Sequence, residues 1–259
     1  MKIFQGIFEV RLALGIEYDG TEWSGWQSQP SRNTVQDNLE EALEKFSLEK
    51  VKVICAGRTD AGVHAKEQVA HFDTNLNRER HSWLRGINSF LPPSISIKWV
   101  KSVPPDFHAR FSAKSRKYSY SILNQKVRSS LNRNFTTWIA VPLDHNRISE
   151  AAKLLSGVHD FSAFRSSECQ AKSAVREIIK IDVEKVNSII RIEIEANAFL
   201  HHMVRNIVGC FFEIGRGEKP VAWIKEVIDS RDRSICAKTF PPEGLCLEKI
   251  DYGGLLNAH

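Results

Sequence analysis

Apolar and polar residues alternate along "VRLALGIEY", so that Val10, Leu12, Leu14 and Ile16 share one side. That period of two is the signature of a strand with one buried face. Asp19-Gly20 then reads as a turn. In "NTVQDNLEEALEKFSL" the apolar residues Val35, Leu39, Ala42, Leu43 and Phe46 recur at helical spacing, with Asn33 or Thr34 as the N-cap. "KVKVICA" (50–56) and "EQVAHFDT" (67–74) read as strands on either side of a loop. Residues 80–91 read as a helix stopped by Pro92-Pro93, and "SISIKWVKSV" reads as a further strand. The order β-α-β-β-α-β is that of a ferredoxin-like antiparallel sheet with its helices on one face.

The second half repeats this order with additions. "SRKYSYSIL" reads as a strand and 145–155 as an amphipathic helix. "AVREIIKIDVEKV" and "SIIRIEIEANAF" form a hairpin joined at Val186–Ser188. "FLHHMVRNIVGCFFEIG" reads as a helix capped at Gly215, 220–229 as a short helix and "GLCLEKIDY" as the last strand. The expectation is an α+β protein with domains at 1–110 and 111–259, two ferredoxin-like halves whose antiparallel sheets join around a central cleft.

Composition narrows the class. The chain has 259 residues, 42% hydrophobic and 26% charged, as in a globular protein. No run approaches the roughly 20 apolar residues of a membrane span. The start is too charged and too alternating for a signal peptide. Five widely spaced cysteines without a CxxC pair argue against a disulfide framework and a zinc site, and the expected location is the cytoplasm. Residues 1–110 hold 14 basic and 14 acidic side chains, and the remainder hold 22 and 17, so the net charge of +5 lies in the second half. No acidic residue occurs between Asp106 and Asp144. There Arg110, Lys114, Arg116, Lys117, Lys126, Arg128 and Arg133 mingle with Phe111, Tyr118, Tyr120 and Trp138. Cations for phosphates beside rings for bases suggest a nucleic-acid surface.

The candidate chemistry sits in "CAGRTDAGVHA", residues 55–65. An ordinary aspartate, with a pKa of about 3.9, is ionised at neutral pH and can serve as a nucleophile or stabilise positive charge. Arg58, two residues before Asp60, would help to keep it charged, and Gly57 and Gly62 would let the backbone bend and a substrate approach. His201 and His202, read as neighbours on a helix, diverge too far to share a metal ion. No partner carboxylate for acid catalysis is spaced to meet Asp60, since Glu67 and Asp73 fall on or beside the next strand.

This loop, "AGRTDAGVHA", resembles the signature of the TruA family of tRNA pseudouridine synthases. So do "GIEYDGTEWSGWQSQ", "VQDNLEEAL", "FHARFSAKSRKYSYSI", "GVHDFSAFR", "IEIEANAFLHHMVRNIVG" and "PPEGLCLEKIDY". The resemblance implies the pseudouridine synthase fold, a homodimer without cofactor, and isomerisation of uridines 38, 39 and 40 in the tRNA anticodon stem-loop. It implies Asp60 as nucleophile, Arg58 as the base-flipping arginine, Tyr118 as the residue contacting the flipped base and Arg205 as a second active-site arginine. Outer RNA contacts are implied at Arg78, Arg110 and Lys126, at Phe107 and His108, and at Ser166, Ser167, Glu168, Cys169 and Gln170. Trp23 and Cys246 depart from the family pattern, which has a smaller aromatic residue at the first position and commonly an aromatic at the second.

Overall fold

The computed structural model describes residues 10–256, which divide into two mixed α+β units. One consists of the residues up to Lys114 together with those from Ile250 onward, and the other of Ser115–Lys249. In the first unit β1 (Val10–Tyr18) is followed by α1 (Val35–Ser47), β2 (Ile54–Cys55), β3 (His64–Thr74), α2 (Arg80–Asn88) and β4 (Ile95–Ser102). β1 lies antiparallel between β3 and β4, and β2 pairs with β3, so the strand order is β4-β1-β3-β2. This is the ferredoxin-like arrangement expected from the periodicity.

Leu12, Leu14 and Ile16 face the helices, in register with Phe72, Ala70 and Gln68. Trp83 of α2 meets Phe72 at 5.5 Å and Phe46 of α1 at 5.2 Å between ring centroids, which ties both helices to the sheet. The second face of β1 is covered as well, against the one-sided pattern. Ala13 is buried, and the Trp99 indole lies so close over Gly15 that a Cβ there would come within 2.1 Å of it. "KVKVICA" shortens to the two residues of β2. The Val53 N–H donates to Glu40 Oε1 of α1 (3.1 Å), so a helix side chain takes the place of a ladder partner.

Thr34, not Asn33, caps α1. Its hydroxyl accepts from the Asp37 N–H at 3.2 Å and donates to Asp37 Oδ2 at 2.6 Å, and Thr34 is fully buried. Leu48 closes the helix in the left-handed conformation at φ 63°.

The second unit contains β5 (Ser115–Asn124), β6 (Thr137–Ile139), α3 (His145–Lys153), β7 (Gly157–Asp160), a 3-10 turn at Ser162–Phe164, β8 (Val175–Val186), β9 (Ile189–Ala196), α4 (Met203–Gly215), α5 (Trp223–Ser230) and all but the last two residues of β10 (Leu245–Asp251). Its strands run β10-β5-β9-β8-β7, and β6 joins β5 in parallel. Without β6, β7, the 3-10 turn and α5 this is the same β-α-β-β-α-β order. The β8–β9 hairpin turns at Asn187 (φ 53°), where the sequence placed it. Tyr120, Ile122, Ile190, Ile192 and Ile194 form the buried face. The opposite face is a ladder of charge, with Lys117 Nζ 2.5 Å from Glu193 and Arg191 bridging Glu193 and Glu248 at 3.0 Å each.

The helix expected over "FLHHMVRNIVGCFFEIG" starts four residues later than its first apolar residue. His202 adopts φ 63° immediately before Met203 and breaks any earlier turn. At the other end Gly215 is helical and serves packing, since a Cβ there would lie 2.8 Å from Ile148 Cδ1. The left-handed glycine is Gly217, at φ 85°. No described helix is long and apolar enough to cross a membrane.

Because the Thr34 cap is fully buried, Thr34→Ala removes two hydrogen bonds and leaves a small void. The expected loss is about 1–2 kcal/mol of unfolding free energy, read from urea denaturation with an unchanged slope.

Candidate active site

Asp60 lies in the connection between β2 and β3, half-buried, and its backbone is held on several sides. The Thr59 side chain is buried, and its hydroxyl is 2.7 Å from Tyr18 Oη at the end of β1. Gln68, fully buried on β3, donates to the Gly57 carbonyl at 2.6 Å. The Trp26 N–H donates to the Thr59 carbonyl (3.0 Å) and the Gly62 N–H to the Trp23 carbonyl (3.3 Å). The Val63 N–H closes a turn on the Asp60 carbonyl at 3.2 Å. Gly62 sits at φ 77°, a left-handed conformation that favours glycine, whereas Gly57 is not among the residues with positive φ.

The neighbouring segment must come very close for these bonds to form. A Cβ on Gly25, itself at φ 88°, would be 2.7 Å from the Thr59 carbonyl oxygen, and one on Gly20 only 2.0 Å from that of Val63. His64 Nδ1 accepts from the Gly20 N–H at 3.0 Å, which pins the exit of the loop. The carboxylate is thus carried by a backbone with little freedom, as a reacting group requires.

Arg58 points outward and is exposed, and among the described residues no ion pair joins it to Asp60. The expected Arg58–Asp60 pairing is therefore not made: Arg58 stays in solvent, while Thr59 beside it is buried. Cys55 just before the loop is buried, which pushes its thiol up to about 12, so it stays protonated at neutral pH. The Trp23 indole N–H is buried without a partner among the described residues. Holding that larger ring beside the loop thus leaves a donor unsatisfied, where the family pattern has a smaller aromatic residue.

The "PDFHA" segment lies over the second face of the first unit's sheet. Arg11 grips Asp73 with two bonds (2.6 and 2.7 Å) and donates to the carbonyls of Pro105 (2.5 Å) and Phe107 (2.9 Å). The Arg11 hydrogen bond in turn holds the Asp73 carboxyl below its usual range. His71 Nδ1 accepts from the Ala109 N–H at 3.1 Å, while Tyr252 Oη donates to the Ala109 carbonyl at 2.7 Å. His108 Nδ1 accepts from the Arg110 and Phe111 N–H groups at 3.2 and 3.3 Å. The Phe107 ring is buried, 5.1 Å from that of Tyr252, so it anchors the segment. Arg110 is exposed, with its guanidinium 5.6 Å from the centre of the Phe111 ring.

In the second unit Tyr118 is buried on β5, its ring edge-on to Phe199 at 5.0 Å. Arg205 lies in the first turn of α4, half-buried, and its Nε donates to the Phe240 carbonyl at 2.7 Å. Segment 166–170 is bent by bonds from Arg165 to the carbonyls of Cys169 and Ala171, and the Ser166 N–H donates to the His201 carbonyl at 3.0 Å. Ser167, Glu168 and Gln170 are exposed, and Ser166 and Cys169 half-exposed. Burial opposes ionisation of Cys169, yet the backbone N–H groups of Ala171 and His201, with Arg165, hold its thiol below the usual range. Lys126 is exposed, and Arg78, also exposed, stacks on Phe46 at 4.6 Å. His201 and His202 precede the helix rather than ride on it, and their rings stack 4.0 Å apart, so the helical divergence expected of them does not apply.

Tyr18, Thr59, Gln68, Arg11 and His71 support these segments without having been singled out in advance. Gln68 left a trace in the sequence, as a polar residue at a strand position whose period calls for an apolar one, whereas Arg11 occupies a polar position of β1 and Thr59 lies in a loop.

His71 is pushed down to about 4, by burial first and then by the Arg11 and His108 charges, against a smaller opposing pull from Asp73. The folded state therefore binds fewer protons than the unfolded chain. This stability is complete above the ordinary histidine value of 6.5 and drains as pH falls from there towards 4. The urea midpoint of the native protein should fall across that window. His71→Asn, whose amide oxygen can replace Nδ1 as acceptor, should lose less.

The family model described as tRNA pseudouridine synthase matches residues 15–112 and 151–253, which include Asp60, Arg58 and Arg205. A tRNA pseudouridine synthase A of Janthinobacterium sp. (strain Marseille) is 53% identical over 248 residues, covering 93% of this chain and 92% of that one. The protein of the same name in Paraburkholderia phytofirmans (strain DSM 17436 / LMG 22146 / PsJN) is 52% identical over 242 residues, with coverages of 93% and 90%. That of Bordetella petrii (strain ATCC BAA-461 / DSM 12804 / CCUG 43448) is 50% identical over 244 residues, with 93% and 91%. With a carboxylate on a fixed loop and a family match that spans both units, the chain belongs to the tRNA pseudouridine synthase family.

Proposed function

We propose that the protein converts uridines 38, 39 and 40 of the tRNA anticodon stem-loop to pseudouridine, with Asp60 as the nucleophile. The N1–C1′ glycosidic bond breaks, the uracil turns, and a C5–C1′ bond forms; C5 gives up its proton and N1 gains one. The reaction is an isomerisation and needs no redox partner or energy donor. What supports the reading is the family match through the Asp60 loop, together with the rigidity of that loop. A carboxylate held by backbone bonds can meet a developing charge at the sugar, or attack it, without first being ordered.

A uridine stacked in a stem is out of reach, so it must be extruded. Arg58 suits that task, since its exposed guanidinium is not tied to Asp60 and is available to fill the vacated stack. Tyr118 is assigned to the flipped base and Arg205 to the reacting group, both by family resemblance. Arg110, Lys126, Arg78, the 105–109 segment and residues 166–170 are assigned to the RNA outside the pocket. Phe107, being buried, acts there by holding the segment in shape. The same reading makes the enzyme a cytoplasmic homodimer that works without cofactor or metal.

The test incubates the protein with unmodified tRNA bearing uridines at 38–40 and maps pseudouridine chemically. Asp60→Ala should bind tRNA with turnover reduced on the order of 10⁴-fold or more. Arg58→Ala should slow it on the order of 100-fold, because a few kcal/mol of unstacking goes unassisted, with its melting temperature unchanged. Binding without any product from the native protein across several tRNAs would instead favour a silent RNA-binding protein.

A further inference from the structure

We infer that Arg233 is a positioning residue for the reaction and acts through Arg205; this rests on the active-site role proposed for Arg205. Residues 233–240 cross the buried helix α4 as a strap. The strap and the first turn of the helix exchange two bonds. Arg205 Nε donates to the Phe240 carbonyl at 2.7 Å, and the Phe240 N–H donates to the Arg205 carbonyl at 3.2 Å. The strap therefore supplies, through one carbonyl, a bond that helps to set the direction of the Arg205 guanidinium.

Arg233 places that carbonyl. Its Nη1 donates to the carbonyls of Cys236 (3.3 Å) and Ala237 (3.0 Å), which curls the strap around the guanidinium. Its Nη2 donates to Asn206 Oδ1 (3.2 Å) and Thr239 Oγ1 (3.1 Å), which docks the curl on α4. Thr239 adds a bond to the same Asn206 oxygen at 2.7 Å. Asn206, fully buried and next to Arg205 on the helix, spends its amide nitrogen on the Phe164 carbonyl at 2.8 Å. The contact is tight. A Cβ on Gly209 would come within 2.3 Å of the Lys238 carbonyl oxygen, so the strap can approach only because α4 carries glycine there.

Arg233 thus spends its donors on four acceptors of the strap and of Asn206, in a fork that the single point charge of a lysine cannot reproduce. A misplaced strap leaves Arg205 present but misdirected, and misplacement on the order of 1 Å can slow a reaction about 100-fold.

The experiment is a double-mutant cycle on single-turnover pseudouridine formation, with tRNA affinity measured by filter binding. Arg233→Gln and Arg233→Lys should each lower the rate on the order of 10- to 100-fold, with Kd for tRNA changed by less than about threefold. Loss in the lysine variant separates fork geometry from charge, and an unchanged salt slope separates positioning from a phosphate contact. In an Arg205→Ala background, Arg233→Gln should cost no further rate, because the group it directs is gone.

Losses that multiply in that background, full rate in Arg233→Lys, or weakened binding with intact rate would each overturn the inference. If Arg205→Ala alone keeps full rate, the role of Arg205 falls and this inference falls with it, while the modification reaction stands. Should Arg233→Gln fail to fold, Thr239→Val, which keeps the side-chain shape and removes only the shared hydroxyl, is read through the same cycle with the same expectation.

Discussion

The close approach of the 20–26 segment to residues 59–63 is the constraint on which the candidate site depends. Two glycines let one backbone come within hydrogen-bonding reach of another, and the Thr59 and Trp23 carbonyls accept across the gap. Once these bonds exist, the remaining freedom of the loop is removed by side chains from two strands. Tyr18 at the end of β1 takes the Thr59 hydroxyl, and Gln68 of β3 takes the Gly57 carbonyl. Those strands are neighbours in the sheet, with Tyr18 aligned to Ala65. The geometry of Asp60 therefore derives from the pairing of β1 with β3. Packing of the first unit and positioning of its carboxylate are one problem in this chain.

The second unit handles an arginine by the same means. A backbone carbonyl of a strap takes a bond from Arg205, and the strap is shaped by the Arg233 guanidinium. Asp60 is carried on irregular backbone, Arg205 on a helix braced by an irregular strap, and nearby buried polar side chains fix both irregular segments. Buried polar groups are stable only when their bonds are made. A network of them tolerates one arrangement, which suits a site that must hold its shape while RNA binds and leaves.

Much of this was legible in the sequence. The helical spacing of Val35, Leu39 and Leu43, the alternation in β1 and β5, and the hairpin turn at Asn187 all follow from local periodicity, and local periodicity reports which face is buried. It failed where a side chain replaced the backbone as partner. Glu40 shortened β2, and the left-handed His202 delayed α4. Elements as short as β6 and β7 carry too few alternations to register at all. An aspartate among glycines is by itself an ordinary turn residue, and Asp60 stood out through Arg58 beside it and the resemblance of the whole loop to a family signature.

By itself, the sequence determined the β-α-β-β-α-β order in both halves, the segment that carries the carboxylate and the basic, aromatic-rich window, since each depends on neighbours a few residues apart. The tertiary structure decided the rest. It left Arg58 unpaired with Asp60 among the described residues, put Phe107 in the core, covered the second face of β1 and turned Arg205 towards a carbonyl 35 residues away. Those outcomes depend on which distant backbone groups come within about 3 Å of one another. No periodicity along the chain encodes such distances, because they are set by how whole elements pack.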